Sequence, residues 1–329
     1  MGEGEGGGEV EAVIGGLTAR MVLLLDRGKL ESGSILWAVR LFRLLVAFFS
    51  LLQIGAADVE ACTLWGEAGE DASGGTIISK NRDWEPDHTQ VLKIHRHGKG
   101  YAYFGLYAEG GEKLGLKDGV NEKGLTVVTA SASSLPKQMR DEDRDKHGVL
   151  GRLLSDYATC DQVLADQKAI FPKCRAEFLM ISDRKKILMV ETGLHGRYAI
   201  KTVENGPATH TNHYLDKSLD EFNVEIGSSS AARLARITDL LKAHPVPCDT
   251  EAFAALSRDQ HDGPNNSLWR TGKRIRTLSS WIVETPAEGP SKLRVVLANP
   301  GEAETTNAFV LDEKFWRDET PPERNVSKR

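Results

Sequence analysis

Beyond residue 61 the chain is dominated by short β-type runs, which constrain its fold more than any other feature. The runs are four to eight residues long, rich in branched and aromatic side chains, and bounded mostly by polar residues, Gly or Pro, as half-buried strands require. They lie at residues 76–79, 91–95, 101–107, 125–129, 178–182, 187–191, 277–284 and 293–298. The two runs that flank residues 183–186 predict a β-hairpin, and residues 121–124 predict a turn.

Helical periodicity occurs in three places. Residues 149–164 carry apolar side chains at the spacing of one helix face, as do residues 234–241 after a serine cap at 228–230. Thr250 is expected to cap a third helix over residues 251–259. Because strands and helices come in separate runs and do not alternate, we expect an α+β fold of antiparallel sheets with helices packed outside.

The first 61 residues are expected to lie outside the fold. The opening Gly/Glu stretch offers nothing to bury, and Arg40 and Arg43 precede a mostly apolar run at residues 44–54. That run of 11 positions is shorter than the roughly 20 residues of a membrane-spanning helix, and Ala61 ends an A-x-A-like cleavage site. The pattern predicts a removed signal or pro-segment at 1–61, export from the cell, and Cys62 as the new first residue. A buried helix and a lipoprotein acylated at Cys62 are the alternatives.

Residues 62–329 are then expected to form one domain, with a frayed tail from about residue 318. The chain has 42 basic and 47 acidic side chains, a formal charge of −5, and no sustained basic run. Phosphate binding needs a concentrated cationic face, so the composition argues against a nucleic-acid partner. The sequence leaves the oligomeric state open.

A cysteine at a new N-terminus carries its own base. Its α-amino group has a pKa of about 7.7 to 8.0 and its thiol one of about 8.5, so the amine can accept the thiol proton near neutral pH. The thiolate could then attack an amide and form a thioester. An acidic residue such as Asp83 could hold the ammonium, and an asparagine amide could donate to the oxyanion.

The motifs around these residues resemble a known family. Cys62-Thr63, the segments at 75–84 and 118–125, and His210-Thr-Asn212 are similar to the N-terminal nucleophile (Ntn) cysteine hydrolases. These comprise the choloylglycine hydrolase and penicillin V acylase group and the acyl-CoA:6-aminopenicillanate acyltransferase group. The segment at 260–270 resembles the acyltransferase branch. The resemblance implies a four-layer αββα sandwich and an enzyme that cleaves non-peptide linear amides.

Site residues follow from the resemblance position by position. Cys62 would be the nucleophile and Asp83 the partner of its amino group. Asn212 would donate to the oxyanion, and Arg233 would be an active-site arginine. The resemblance implies neither a metal nor an organic cofactor.

Four further positions are candidates for substrate or oxyanion contacts: Lys80, Ser131, Asn266 and Ser267. The bile-salt branch has arginine where Lys80 stands and asparagine where Ser131 stands. Lysine lacks the planar fork of arginine, and serine offers a single donor, so both departures disfavour bile salts as substrates.

We therefore expect an exported amidohydrolase acting on a small acylated amine or amino acid. One alternative is an acyltransferase that passes the acyl group to an amine. Another, of a different class, is a secreted binding protein or lipoprotein that keeps the fold without catalysis. Cys160 and Cys174 could form a disulfide if the chain is exported.

Overall fold

The computed structural model describes residues 61–96, 99–111, 114–143 and 148–318. All of them belong to the second of two units into which the chain divides, Asp58–Arg329. The expected Gly/Glu-rich opening, the signal segment up to residue 60 and the tail beyond residue 318 lie outside the described residues. The division of the chain at residue 61 stays a prediction.

Within the described residues, thirteen strands form two fully antiparallel sheets. The strands are β1 (Ala61–Gly69), β2 (Gly75–Trp84), β3 (Thr89–His95), β4 (Tyr103–Glu109), β5 (Gly115–Asn121), β6 (Thr126–Ser131), β7 (Glu177–Ser182), β8 (Ile187–Thr192), β9 (Tyr198–Val203), β10 (Gly206–His210), β11 (Arg276–Thr285), β12 (Ser291–Leu297) and β13 (Thr305–Leu311). Sheet A has the order β10-β1-β2-β11-β12-β13, and sheet B runs from β3 to β9 in chain order.

Helices of 4 to 16 residues pack mainly on the outer faces of the two sheets. The helices are α1 (Lys137–Glu142), α2 (Leu150–Asp156), α3 (Cys160–Ala165), α4 (Gln167–Ile170), α5 (Ser228–Ala243), α6 (Thr250–Ser257), α7 (Gly263–Asn266) and α8 (Glu313–Arg317). Single 3-10 segments lie at Glu70–Ala72, Phe171–Lys173, Leu194–Gly196 and Lys217–Phe222. No helix in the described ranges is long and apolar enough to span a bilayer.

The buried apolar side chains form three layers of core. Leu64 of sheet A and Phe104 of sheet B belong to the cluster between the sheets. Trp65 packs with the α5 and α6 residues Ile237 and Phe253 outside sheet A. A third cluster, which includes Leu153 of α2, lies outside sheet B. This helix–sheet–sheet–helix layering confirms the expected αββα sandwich.

Every β-type run of the sequence lies on an observed strand, with ends shifted by a few residues. The predicted hairpin is β7–β8, and the predicted turn ends on a hydrogen bond from the Gly124 N–H to the Asn121 carbonyl. Strand β1 shows no such run because it contains Gly66, Glu67 and Gly69. A Cβ at Gly66 would lie 2.8 Å from the carbonyl oxygen of Ile77, so the close approach of β2 requires glycine there.

The prediction of one helix over residues 149–164 is wrong. Helix α2 ends at Asp156, and Tyr157 is extended. The Asn121 amide donates to the carbonyls of Leu154 and Tyr157 at 2.8 Å each and so satisfies the end of the helix. Helix α3 then starts anew, with the Thr159 side chain accepting from the Gln162 N–H.

Two cap predictions are also wrong. Asp249, not Thr250, caps α6 by accepting from the Ala252 N–H, and the Thr250 hydroxyl donates to Glu284 instead. Helix α5 begins after Gly227 without a side-chain cap, so the serines at 228–230 do not cap it.

Cys160 and Cys174 are free, so the disulfide is not formed. The Cys160 thiol lies 3.6 Å from the carbonyl of Lys186, and the Cys174 thiol lies 3.2 Å from a carboxylate oxygen of Glu177. Each thiol therefore has a local partner in the outer layer.

Candidate active site

Cys62 is the second residue of β1, which is the second strand from one edge of sheet A. Strand β1 pairs with β10 on one side and β2 on the other, and Cys62 lies directly opposite Arg82. Side chains alternate along the strand, so Cys62 and Leu64 face the other sheet while Thr63 faces the helices. Cys62 is 7% exposed.

Asn212 holds the backbone nitrogen of Cys62. It lies two residues after the end of β10, and its Oδ1 accepts from the Cys62 N–H at 2.9 Å. Its Nδ2 donates to the main-chain carbonyl of Ser131, also at 2.9 Å. Asn212 therefore links the start of β1 in sheet A to the end of β6 in sheet B, and one of its two amide hydrogens is used in doing so.

Arg233, which lies on α5, donates hydrogen bonds to Cys62 and Asn212. Its Nη1 donates to the Cys62 carbonyl at 2.6 Å and to the Thr63 hydroxyl at 2.8 Å, and its Nη2 donates to Asn212 Oδ1 at 2.9 Å. Burial lowers the pKa of Arg233 to about 10, and the negative charge of Asp83 opposes this effect. The guanidinium stays charged at neutral pH and fixes both the cysteine and the asparagine.

Asp83 is paired across the strands with Ala61, the residue just before Cys62. Its side chain is fully buried. Its Oδ1 accepts from the Thr277 hydroxyl at 2.7 Å, and its Oδ2 lies 4.0 Å from Arg270 Nη1. Burial raises the pKa of Asp83 to about 6, although Arg233 and Arg270 counteract part of the shift. Arg270 and Thr277 also line a cavity of about 230 Å³, to which neither Asp83 nor Cys62 contributes.

The loop that carries Asn212 is fixed by residues that sequence reasoning missed. Ser230 Oγ accepts from the Asn212 N–H at 3.0 Å. Buried Glu191 accepts from His210 Nε2 at 3.1 Å and from the Leu215 N–H at 3.0 Å. No short motif marks these contacts, which join residues 18 to 24 positions apart.

Lys80 is held in an ion pair and is not an unpaired charge beside the other candidate residues. Its ammonium lies 2.6 Å from Asp118 Oδ1 in a buried ion pair between the sheets. Ser131 contacts the site through its main-chain carbonyl, as noted above.

Asn266 and Ser267 are not part of the cluster around Cys62. Asn266 ends α7, and the Ser267 hydroxyl donates to the Gly263 carbonyl at 2.7 Å. Within the described ranges, neither residue has a hydrogen bond to Cys62, Asn212 or Arg233. The structure thus brings together Cys62, Asn212 and Arg233 directly, with Asp83 beside them.

The remaining titratable groups suggest no metal centre. Among the residues that the structure describes, no group of three or more His, Cys, Asp and Glu side chains is arranged to hold a metal ion. The cluster instead combines a thiol, an amide and buried guanidinium groups around one backbone nitrogen. Those are the components of nucleophilic acyl chemistry.

Solved structures with a similar fold include two variants of the conjugated bile acid hydrolase from Clostridium perfringens. Each is 12% identical in sequence and aligns over 76% of this chain and 92% of its own, with TM-scores of 0.46 and 0.47. A Caenorhabditis elegans ortholog of N-acylethanolamine-hydrolyzing acid amidase is 11% identical over 69% of this chain and 94% of its own, with a TM-score of 0.49.

None of the curated protein sequences matches the chain. A family profile, in contrast, matches residues 70–302, which is more than half of the chain and includes Asp83, Asn212 and Arg233. This match confirms the resemblance seen in the motifs. The chain belongs to the acyl-coenzyme A:6-aminopenicillanic acid acyl-transferase family, and it is therefore an enzyme of acyl transfer or amide hydrolysis.

Proposed function

We propose that the chain hydrolyses a linear amide of the N-acyl type, with Cys62 as an N-terminal nucleophile. The observation that carries the proposal is the hydrogen bond of 2.9 Å between the Cys62 nitrogen and Asn212 Oδ1, within a network that Arg233 completes. Any buried main-chain N–H needs an acceptor, but here the acceptor is the side chain of a site residue and not a strand neighbour. A nitrogen that must serve as a base needs a direction fixed in this way.

The proposal requires cleavage of the Ala61–Cys62 peptide bond, because an amide nitrogen is not a base. Cleavage by a signal peptidase during export and self-cleavage both yield the same new terminus. Once the liberated amine has accepted the thiol proton, the resulting ammonium would lie near the buried Asp83 carboxylate, whose residue is paired with Ala61 across the two strands. The charge of each would then offset the cost of burying the other.

The reaction follows in two steps. The thiol proton passes to the α-amino group, and the Cys62 sulfur attacks the amide carbon to form a C–S bond. The Asn212 amide hydrogen that is not used by Ser131 is available to the oxyanion. The C–N bond then breaks, the ammonium returns the proton to the leaving amine, and water hydrolyses the thioester to release the acid and the thiol.

Acyl transfer is the second candidate because the chain belongs to a family described as an acyl-transferase. Acyl transfer and hydrolysis share the thioester intermediate and differ only in the nucleophile that attacks it, an amine or water. Product analysis with and without an added amine distinguishes the two, because transfer gives a new amide and hydrolysis gives only the acid.

Trapping the acyl intermediate tests the proposal. A panel of N-acyl amines and N-acyl amino acids is incubated with the enzyme, and intact-mass and peptide-mass analysis is carried out after acid quench. We expect an added acyl mass on the peptide that begins with Cys62. An acyl group on any other residue, in material that turns over, would contradict the proposal.

The Arg233→Lys variant is expected to lose about 10- to 100-fold in kcat/KM. Lysine keeps the charge but cannot place donors on Cys62, Thr63 and Asn212 at the same time. Arg236→Lys is the matched control, since Arg236 lies on the same helix and pairs with Asp259 near the surface. Steady-state kinetics and melting temperatures of both variants check the result, and equal activities would contradict a role for the Arg233 fork.

The rate is expected to fall at acidic pH as Asp83 becomes protonated. The pKa of Asp83 is about 6 while the Cys62 nitrogen is part of a peptide bond. A positively charged ammonium at the same place would lower this pKa. The Thr277 hydrogen bond also lowers this pKa, so Thr277→Val should move the acidic limb of kcat/KM upward by about one pH unit. A pH–rate profile of both enzymes measures the shift, and an unmoved limb would mean that another group controls it.

A further inference from the structure

We propose that Arg82 forms a carboxylate-binding site beside Cys62, and that the substrate is an N-acyl amino acid and not a neutral N-acyl amine. The proposal rests on the proposed function and names its substrate class. Three observations about Arg82 support it.

Arg82 lies directly across from the nucleophile. It is the β2 partner of Cys62, and paired residues in antiparallel strands share a face of the sheet. Arg82 is 2% exposed, and its charge interacts with that of Cys62. A group bound by this guanidinium therefore lies close to the reacting sulfur.

The Arg82 guanidinium has hydrogen-bonding capacity to spare. Its Nη2 lies 2.9 Å from His88 Nδ1, and the group stacks on Trp84 with 5.0 Å between the guanidinium carbon and the ring centre. Its Nη1 is buried and has no hydrogen-bond partner among the described residues. A buried, unsatisfied donor on a charged group is costly, and a carboxylate oxygen is the partner that a guanidinium fits best.

The carboxylates around Arg82 do not satisfy its Nη1. Asp118, Asp83 and Asp87 favour the charged form of the guanidinium, but within the described residues none of them accepts a hydrogen bond from Nη1. Asp118 Oδ1 is bound by Lys80 at 2.6 Å instead. A carboxylate of the substrate would supply the missing acceptor.

The closeness of Arg82 to Cys62 selects among acidic substrates. In an N-acyl amino acid, one carbon separates the scissile nitrogen from the carboxylate. A carboxylate at the far end of a long acyl chain would lie many bonds from the sulfur. The amine part of the substrate is therefore expected to be an amino acid.

The test compares an N-acylglycine with the ethanolamide of the same acyl chain. We expect the wild-type enzyme to prefer the glycine conjugate, and Arg82→Met to reduce the glycine-to-ethanolamide ratio of kcat/KM by about 10- to 100-fold. Lys93→Met, which removes an exposed lysine paired with Glu109, is the matched control and should leave the ratio unchanged. An equal loss for both substrates, or a wild-type preference for the ethanolamide, would overturn the proposal.

Binding to the Cys62→Ala variant separates this proposal from the proposed chemistry. Calorimetry with intact N-acylglycine needs no turnover, and we expect Arg82→Met in that background to weaken binding by a similar factor. If Arg82→Met does not fold, Arg82→Lys should still prefer the glycine conjugate, but less strongly. Tight, charge-selective binding without any Cys62 acyl adduct would reject the chemistry and keep the site, whereas an adduct without charge selectivity would do the opposite.

Discussion

Replacing Cys62 with alanine is expected to reduce kcat by at least about 10⁴-fold. No other group in the cluster described here can form the acyl intermediate, because Asn212, Arg233 and Asp83 do not carry a suitable nucleophile. Cys248→Ala is the matched control, since Cys248 is buried in the outer core of sheet A and burial raises its pKa to about 11. Kinetics of both variants on one N-acyl substrate provide the comparison.

The serine variant refines this prediction. A hydroxyl keeps the geometry of the thiol but has a far higher pKa, so the neighbouring amine activates it poorly. We expect Cys62→Ser to fold like the wild type and to remain almost inactive. If Cys62→Ala turned over substrate at more than a few per cent of the wild-type rate, the nucleophile would have to be sought elsewhere.

Replacing Asn212 with alanine is expected to lower kcat by about 10²- to 10³-fold, as the loss of one oxyanion donor usually does. The variant also removes the acceptor for the Cys62 nitrogen and the link to Ser131. Asn205→Ala is the matched control, because this exposed asparagine lies just before the opposite end of β10. Single-turnover rates of acylation measure the effect on chemistry without product release.

Asn212→Asp separates the two roles of the side chain. An aspartate keeps an oxygen for the Cys62 nitrogen but replaces the amide donor with a second acceptor. If oxyanion stabilisation is the main role, this variant is as slow as Asn212→Ala. Near wild-type acylation by Asn212→Asp would show that the residue only positions the nitrogen.

Much of the fold could be predicted from local sequence. The β7–β8 hairpin has two apolar runs around four polar residues, and α5 has a clear apolar face, so short-range patterns sufficed for both. Strand β1 could not be recognised in this way, although it carries the candidate nucleophile, because the close approach of β2 requires Gly66 in place of a β-type residue. The break between α2 and α3 depends on Asn121, more than 30 residues away in the chain.

The candidate site was predictable only where a motif marked it. The motifs identified Asn212 and Arg233, which the structure places on the nitrogen and carbonyl of Cys62. They did not show that Lys80 is paired with Asp118, which lies 38 positions along the chain in the other sheet. Arg82 was missed, although alternation along β2 places it on the same face as Lys80.

The N-terminal sequence of fully active enzyme tests the central claim most directly. Edman degradation and intact-mass analysis of the same purified, active material give both the first residue and its chemical state. The account predicts an unmodified Cys62 as the first residue. Full activity in material in which Cys62 is internal, or in which its amine is blocked, would contradict it.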